Sequence, residues 1–583
     1  MLSNMKLADF VIQYFENKNM NTAFTVSGGG CIHLIEALRQ SSKIETTCVH
    51  HEQAALMASE GYFRMNNKMS LNVVTTGPGG SNALTGLMGL WLDSIPSVII
   101  SGQVQLSQLS ESTGCRQIGD QEFDILSVVR PMVKYCTMVR NPQDIYEILE
   151  TAYNTALEGR PGPVWIDIPL DMQGASVDIN TLKPYTGTSK TYEFDIREID
   201  ELKVLLESSE RPLVVVGNGI RLSNTYDKLN SFLKRYNIPV VTGPHSGVDA
   251  VDNTYEYYCG RIGILGQLSS NTIVQNCDLI IGLGTRLPVK MTGYNIKEFS
   301  PNSKKVLIDI DINEMNKHKF TIDKKIVCDL NNFFDAFSTV SLDMNTSEWL
   351  SYVKGERDKQ VYYYDKHKNL QEFASFYYLI NKAPKFFGNT PIVTSNGTAH
   401  VITLQTYNLN KDQRLFTNVG CASMGYGLPA AIGACLANNK QPVICVEGDG
   451  SIMMNLQELQ TVVGYNLPVK IILVNNDGYI SIKLTQESFF GGKEFASGKD
   501  TGVTIPNYEK ISTAFGIKYF SIRNNTEIET GLKNMMEHDG PCILEVFTHP
   551  MERHEPKVTH KGIDEHGRII PGTLTDMKIT EGF

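Results

Sequence analysis

The 583-residue sequence predicts an α/β protein of three successive domains, each built on a parallel sheet. Length argues for division, because a single hydrophobic core stops growing at roughly 250–300 residues. Pattern argues for the class: short runs rich in Val, Ile and Leu alternate with helix-like stretches and glycine turns. Two polar stretches, 181–200 and 349–369, interrupt that alternation and mark the joints.

The first domain spans 1–180, opening with an amphipathic helix over positions 1–20, where Asp, Lys, Glu and Asn separate the apolar residues. Residues 181–200 read as a linker. The second domain, 195–345, begins with the strand Pro212-Leu213-Val214-Val215-Val216 and the turn Gly217-Asn218-Gly219. It continues through Asp278-Leu279-Ile280-Ile281-Gly282 and Val306-Leu307-Ile308-Asp309-Ile310-Asp311. A charged, tyrosine-rich connector follows at 349–369. The third domain, 370–550, holds the strands Val443-Ile444-Cys445-Val446 and Val469-Lys470-Ile471-Ile472-Leu473-Val474 with a helix over 453–464 between them. The polar tail, 551–583, is expected to drape over another surface.

Composition removes several function classes. A net charge of −10 with no basic stripe argues against nucleic acid. The 11 cysteines are scattered without a C-x-x-C pair, so neither a zinc site nor a disulfide framework is indicated, and a reducing compartment fits. No signal-peptide core and no apolar run of membrane-spanning length is present, which makes cytoplasm the expectation and membrane insertion unexpected. His51-Glu52 opens like H-E-x-x-H, but position 55 is alanine, so a zinc-protease helix fails. Gly77-Pro78-Gly79 lacks the G-K-[ST] of a P-loop.

One constellation carries chemistry. Gly448-Asp449-Gly450-Ser451 ends one strand and Asn475-Asn476-Asp477-Gly478 ends another, about 27 positions on. In an open parallel sheet, ligands bind at that carboxyl edge. Asp449, the Asn476 amide oxygen and the Gly478 carbonyl offer three hard oxygens suited to magnesium, a cation often shared with phosphates. Asp and Asn also close turns, and for either residue alone that reading stands.

This spacing resembles the thiamin-diphosphate (ThDP) signature of the acetolactate synthase and pyruvate decarboxylase superfamily, and further matches run the length of the chain. His51-Glu52-Gln53-Ala54-Ala55 with Gly61-Tyr62 is similar to the catalytic-glutamate helix, and Thr75-Thr76-Gly77-Pro78-Gly79-Gly80-Ser81-Asn82 to the T-S-G-P-G-x-x-N turn. Asp93-Ser94-Ile95-Pro96, Ser101-Gly102-Gln103, Gly159-Arg160-Pro161-Gly162-Pro163-Val164 and Asp167-Ile168-Pro169 follow in order. Met424-Gly425-Tyr426-Gly427-Leu428-Pro429-Ala430-Ala431 resembles M-G-F-G-L-P-A-A. Arg116-Gln117, Gln121-Glu122, Ser481-Ile482 with Thr485-Gln486, and Asp576-Met577 resemble acetolactate-synthase-like proteins of bacterial surface-polysaccharide clusters.

The resemblance implies a pyrimidine-binding first domain, a central domain of different fold, and a third domain, related to the first, that binds diphosphate and magnesium. It implies that Glu52, in a poorly hydrated pocket, bonds the pyrimidine and relays a proton, with Gln121 orienting an intermediate. Thr76, Asn82, Gly397, Thr398, Ala399, Ala422, Met424, Gly448, Asp449, Gly450, Ser451, Asn476, Gly478, Tyr479 and Ile480 would bind cofactor; Asp449, Asn476 and Gly478 would hold the metal. Met424 would wedge between the cofactor rings while the Ala422 carbonyl accepts from the amino group. His50, His51 and His400 are acid–base candidates or structural histidines; Cys31 and Cys421 are more simply packing residues. Lys134 is read either as attracting a substrate carboxylate or as solvated.

Three positions depart from ordinary acetolactate synthase: Asp120 replaces a pocket phenylalanine, Thr485 a tryptophan, and Lys290 stands near an acceptor-binding arginine. The expectation is therefore a ThDP- and Mg2+-dependent carboligase. It would decarboxylate a 2-oxo acid such as pyruvate and pass the acyl unit to a larger, more polar acceptor, for example a nucleotide-linked keto sugar. An ordinary acetolactate synthase, a simple decarboxylase, a non-catalytic binding paralogue and a flavin or nicotinamide oxidoreductase are the alternatives. FAD stays open: Gly263-Ile264-Leu265-Gly266 and Gly282-Leu283-Gly284-Thr285-Arg286 resemble parts of its site, but Leu222 takes the third glycine of G-x-G-x-x-G. A homodimer or homotetramer with intersubunit sites is implied.

Overall fold

The computed structural model describes residues 4–183, 185–187, 195–244, 247–566 and 568–582. Part of the expected linker, 184 and 188–194, lies outside the described residues.

Three six-stranded parallel sheets form the frame. From edge to edge the first runs Glu45–Cys48, Thr22–Thr25, Leu71–Val74, Val98–Gln103, Val164–Pro169, Tyr135–Met138. The third runs Leu415–Phe416, Ile392–Thr394, Val443–Gly448, Val469–Asn475, Cys542–Phe547, Lys518–Ile522. Numbered along the chain within each sheet, both orders are 2-1-3-4-6-5. The middle sheet differs: Tyr258–Arg261, Val240–Thr242, Pro212–Val216, Leu279–Leu283, Lys304–Asp309, Lys324–Val327. Its order, 3-2-1-4-5-6, is that of doubly wound nucleotide folds.

Burial on both faces explains why the central strands are unbroken apolar runs rather than alternating ones. Val214, Val216, Ile281 and Leu283 enter the core on one side of the middle sheet; Leu213, Val215 and Ile280 enter the other. Trp349 closes that second side, its indole N–H donating to the Pro212 carbonyl at 2.9 Å. The connector expected at 349–369 is thus largely helical (Ser347–Asp358 and Asp365–Lys368), because Trp349 and Val353 supply an apolar stripe that the charged composition masks. Leu574 enters the same core, so the tail covers the middle domain, fixed by Val558 N–H to the Ile264 carbonyl and Asn271 Nδ2 to the Leu574 carbonyl, each at 2.9 Å.

Two other expectations are refined. The helix expected over 1–20 is Leu7–Asn17, preceded by a short strand, Asn4–Lys6, paired antiparallel with Ser176–Asp178. The helix expected over 453–464 is Glu458–Gly464, with a separate turn at Asp449–Ile452. Among the described residues, no helix is long and apolar enough to cross a membrane, and all 11 cysteines are free.

The chain condenses into two compact units: 1–190 with 418–445 and 451–469, and 191–417 with 446–450 and 470–583. Within the first, the helices Glu52–Asn66 and Gly427–Ala437 meet backbone to backbone. A Cβ on Gly61 would lie 2.0 Å from the Ala430 carbonyl oxygen, and one on Gly433 1.8 Å from that of Ala58. Only glycine fits at either point. Gly433→Ala should cost ~3 kcal/mol or more, since rigid backbone must move, and thermal melting checks it.

Asp167, in the strand Val164–Pro169, is fully buried and accepts from Ser101 Oγ at 2.6 Å and Gln103 Nε2 at 3.0 Å. Burial pushes its carboxyl up to about 7 from 3.8. The folded state therefore holds this proton more tightly than the unfolded chain. Its contribution is full below the unfolded value and fades as pH rises through the folded one. Asp167→Asn should flatten the stability profile between those limits, by on the order of 2–4 kcal/mol across the window; denaturant melts at stepped pH measure this.

Candidate active site

In both the first and third sheets the strand order reverses between the first and third strands in sequence, and turns at those carboxyl ends gather the expected site residues.

In the first unit, the Glu52 helix starts at its catalytic candidate. His51 caps it, Nδ1 accepting the Gln53 N–H at 3.1 Å, which gives that histidine a structural task. Glu52 is 6 % exposed, and its Oε2 accepts from Asn82 Nδ2 at 3.0 Å. Gly79 belongs to the same turn: a Cβ there would approach Glu52 Oε1 to 3.4 Å and Thr75 Cγ2 to 2.9 Å. Thr76 Oγ1 is buried without a hydrogen-bond partner. Gln121 is exposed in a left-handed conformation (φ 63°), its carbonyl over Gly77. Glu122 holds that loop, accepting from Ser110 N–H at 2.5 Å and Ile118 N–H at 2.6 Å. Ala422 is exposed, also left-handed (φ 51°), and Met424 is half-buried. Ser451 Oγ accepts the Gly425 N–H at 2.9 Å.

Lys134 is half-buried and tied to neighbouring backbone. Its ammonium donates to the Glu158 carbonyl and its stem packs on Gly162.

In the second unit, Asp449 is 2 % exposed. Its Oδ1 accepts the Gly450 N–H at 2.6 Å, and its Oδ2 accepts from Asn476 N–H at 3.0 Å and Gly478 N–H at 3.1 Å. Burial pushes its carboxyl up to about 6, against the pull of those N–H groups. Asn476 Nδ2 donates to Thr398 Oγ1 at 3.3 Å, while its Oδ1 is buried with no partner. A buried amide oxygen left unpaired is costly unless a cation takes it. Asp449, Asn476 Oδ1 and the Gly478 carbonyl therefore fit a magnesium ion. Gly478 must be glycine: its φ is 121° and a Cβ would meet the Ser497 carbonyl oxygen at 2.4 Å. Among the described residues no group of three or more His, Cys, Asp or Glu is placed to hold a metal, so a soft or nitrogen-rich ligand set is not assembled.

Gly397 (φ 73°) caps the buried helix Thr398–Thr406, whose first N–H groups, with Thr398 and Ala399, suit an anion. Gly448 closes its strand, and Gly450 packs under the Tyr479 ring, where a Cβ would meet Cε1 at 2.3 Å. Ile480 is buried at the start of the helix Ile480–Phe490. His400 is buried and pushed down to about 3 by burial, then by Lys290 and His554. It is thus neutral and holds no proton to donate as a cation.

Sequence reasoning missed two groups here. His554 Nε2 lies 3.1 Å from Thr398 Oγ1, extending the chain from Asn476, and Tyr508 donates to the Asp449 carbonyl. Both are remote in sequence from the motifs they touch, and no local pattern marks them.

The glycines of the middle domain serve its own packing. A Cβ would meet Gly284 oxygen at 2.3 Å from Gly217, Gly284 Cα at 2.6 Å from Gly219, Lys290 oxygen at 2.2 Å from Gly263 and Arg261 oxygen at 2.5 Å from Gly266. Backbone contact alone accounts for each glycine.

Asp449→Asn should weaken Mg2+ affinity by about 100-fold with the melting temperature retained. Calorimetric titration of the metal measures it.

Comparison with known proteins adds family matches in chain order. Residues 5–128 match "Thiamine pyrophosphate enzyme, N-terminal TPP binding domain", 199–337 the central domain, and 395–546 the C-terminal TPP binding domain. The chain is 31% identical over 556 residues, covering 95% of its length and 97% of the relative's, to the acetolactate synthase isozyme 2 large subunit of Escherichia coli (strain K12). It is 32% identical over 538 residues (90% and 91%) to the acetolactate synthase large subunit of Buchnera aphidicola subsp. Schizaphis graminum (strain Sg). To that of Lactococcus lactis subsp. lactis (strain IL1403) it is 30% identical over 559 residues (94% of each chain).

Proposed function

Because the chain belongs to the thiamine pyrophosphate enzymes and is acetolactate synthase-like along its length, we propose that it decarboxylates pyruvate and joins the two-carbon unit to a polar acceptor carbonyl, such as that of a nucleotide-linked keto sugar. Bound thiamin diphosphate supplies the electron sink that lets a 2-oxo acid lose carbon dioxide and its acyl carbon act as a nucleophile.

The chain's residues bind, orient and move protons. Asp449, Asn476 Oδ1 and the Gly478 carbonyl would hold magnesium. The N–H groups at the start of Thr398–Thr406, with Gly450 and Ser451, would bind the diphosphate. Glu52 would hold and relay the proton, and Asn82, bonded to it, keeps the carboxyl turned. The Ala422 carbonyl and Met424 would bind the thiamin moiety, and Gln121 would orient the substrate. The observation that carries this reading is the unpaired Asn476 oxygen beside Asp449.

The acceptor follows from the departures. Asp120 and Thr485 are both exposed, and Thr485 Oγ1 bonds only along its own helix, to the Ser481 carbonyl at 2.8 Å. Polar side chains at positions where the resemblance puts Phe and Trp leave space and hydrogen-bonding capacity for a hydroxylated acceptor. With this reading go a role in surface-polysaccharide synthesis, a cytoplasmic setting in keeping with the free cysteines, and a homodimer or homotetramer; relatives carry the name large subunit.

The test is carbon dioxide release from pyruvate with ThDP and Mg2+, alone and with nucleotide-linked 4-keto sugars, products identified by mass spectrometry. Slow release that a keto sugar accelerates, yielding a sugar with a two-carbon branch, is expected, and Glu52→Gln should lower it at least ~100-fold. Acetolactate as the product at ordinary turnover from pyruvate alone would replace this reading with ordinary acetolactate synthase. Free acetaldehyde alone would make the protein a decarboxylase.

A further inference from the structure

The segment from Asn418 to Tyr426, which carries Ala422 and Met424, is gripped at both ends by one buried ionic cluster. At the first end Asp93 Oδ2 accepts the Val419 N–H at 2.8 Å and Oδ1 accepts the Gly420 N–H at 2.9 Å. At the second, the Tyr426 hydroxyl donates to Glu60 Oε1 at 3.1 Å. Arg64 joins the two, donating from Nη2 to Asp93 Oδ2 at 2.6 Å and from Nε to Glu60 Oε1 at 2.8 Å. All four side chains are buried, Glu60 at 1 % and Tyr426 at 0 % exposure.

The fit leaves no slack. A Cβ on Gly420 would meet Asp93 Oδ1 at 2.7 Å, and one on Gly89 would meet Glu60 Oε2 at 3.1 Å. Between the grips, Ala422 holds a left-handed backbone (φ 51°) that an alanine does not choose by itself. Local bonds complete the turn: Ala422 N–H to the Asn418 carbonyl at 3.1 Å and Asn418 Nδ2 to Ser423 Oγ at 2.9 Å.

Buried charges are poor sources of stability, and apolar residues of similar volume generally serve a core as well. Their attested advantage is register. Here the thing registered is a strained segment that carries two expected cofactor contacts, and Glu60 and Arg64 project from the Glu52 helix about two and three turns beyond Glu52.

We propose that Glu60, Arg64, Asp93 and Tyr426 are positioning residues that impose the left-handed backbone at Ala422 and so aim its carbonyl and Met424 at the thiamin rings. This rests on the reading of Ala422 and Met424 given above. Arginine suits the task, since its fork bonds two carboxylates at once.

Tyr426→Phe removes one hydroxyl, and Asp93→Asn keeps shape while leaving only one acceptor oxygen for the Val419, Gly420 and Arg64 N–H donors. Four quantities are read for each and for wild type: hydrogen exchange across 418–426, ThDP affinity by calorimetry, Mg2+ affinity without ThDP, and melting temperature. For Tyr426→Phe the expected result is about tenfold faster exchange in that segment and about tenfold weaker ThDP binding, with Mg2+ affinity and melting near wild type; Asp93→Asn should show the same two changes together with lower melting, since it leaves Arg64 buried beside one carboxylate fewer. A purely structural role would instead lower melting and leave ThDP affinity in place. Variants that bind ThDP as tightly as a binding-competent wild type, or exchange that stays unchanged in the segment, overturn the inference alone. A wild type that binds no ThDP overturns the proposed function and this inference together, while its exchange data still report whether the grip is real.

Discussion

The backbone contact between the helices Glu52–Asn66 and Gly427–Ala437 is the constraint on which most of the first unit depends. With Gly61 against the Ala430 carbonyl and Gly433 against that of Ala58, neither helix can slide or rotate without collision. That contact draws residues 418–445 into the same compact unit as the first domain. It also brings Tyr426 within reach of Glu60, and the segment before it within reach of Asp93. A close helix crossing has thereby become the platform for a polar cluster, because small residues at the contact leave room for long side chains beside it.

The Asp449 and Asn476 cluster in the second unit is built on a different principle. There the sheet provides the geometry, delivering Asp449 and Asn476 on strand ends and leaving one buried amide oxygen without a protein partner. Thr398 takes the amino end of that amide. His554 in turn touches Thr398, which ties the tail segment after residue 551 to the orientation of the Asn476 amide. A structure that keeps a polar atom unpaired in the interior has kept it for a ligand or bears a cost for nothing.

The middle domain pairs a nucleotide-type topology with glycines packed on its own backbone. Its strand order is that of nucleotide-binding folds, and its glycines stand at the reversal point where a dinucleotide would sit. Those glycines are nonetheless accounted for by backbone packed on backbone. Fold-level likeness and glycine count are therefore insufficient grounds for a flavin, whereas the magnesium proposal starts from a buried amide oxygen with no protein partner.

The sequence by itself determined the class and the three parallel sheets, because buried strands in such sheets must be continuous apolar runs and glycine turns must follow them. It also singled out Glu52, Asp449 and Asn476, which the fold places at strand and helix ends. Tertiary structure decided what depends on distant partners. It decided that Lys134 bonds a carbonyl, that the charged connector is a helix anchored by Trp349, and that Leu574 belongs to the middle core. It joined His554 to Thr398 and Arg64 to Asp93. Local patterns encode periodicity and backbone preference, but a hydrogen bond between residues far apart in sequence leaves no periodic trace, so only the folded chain reveals it.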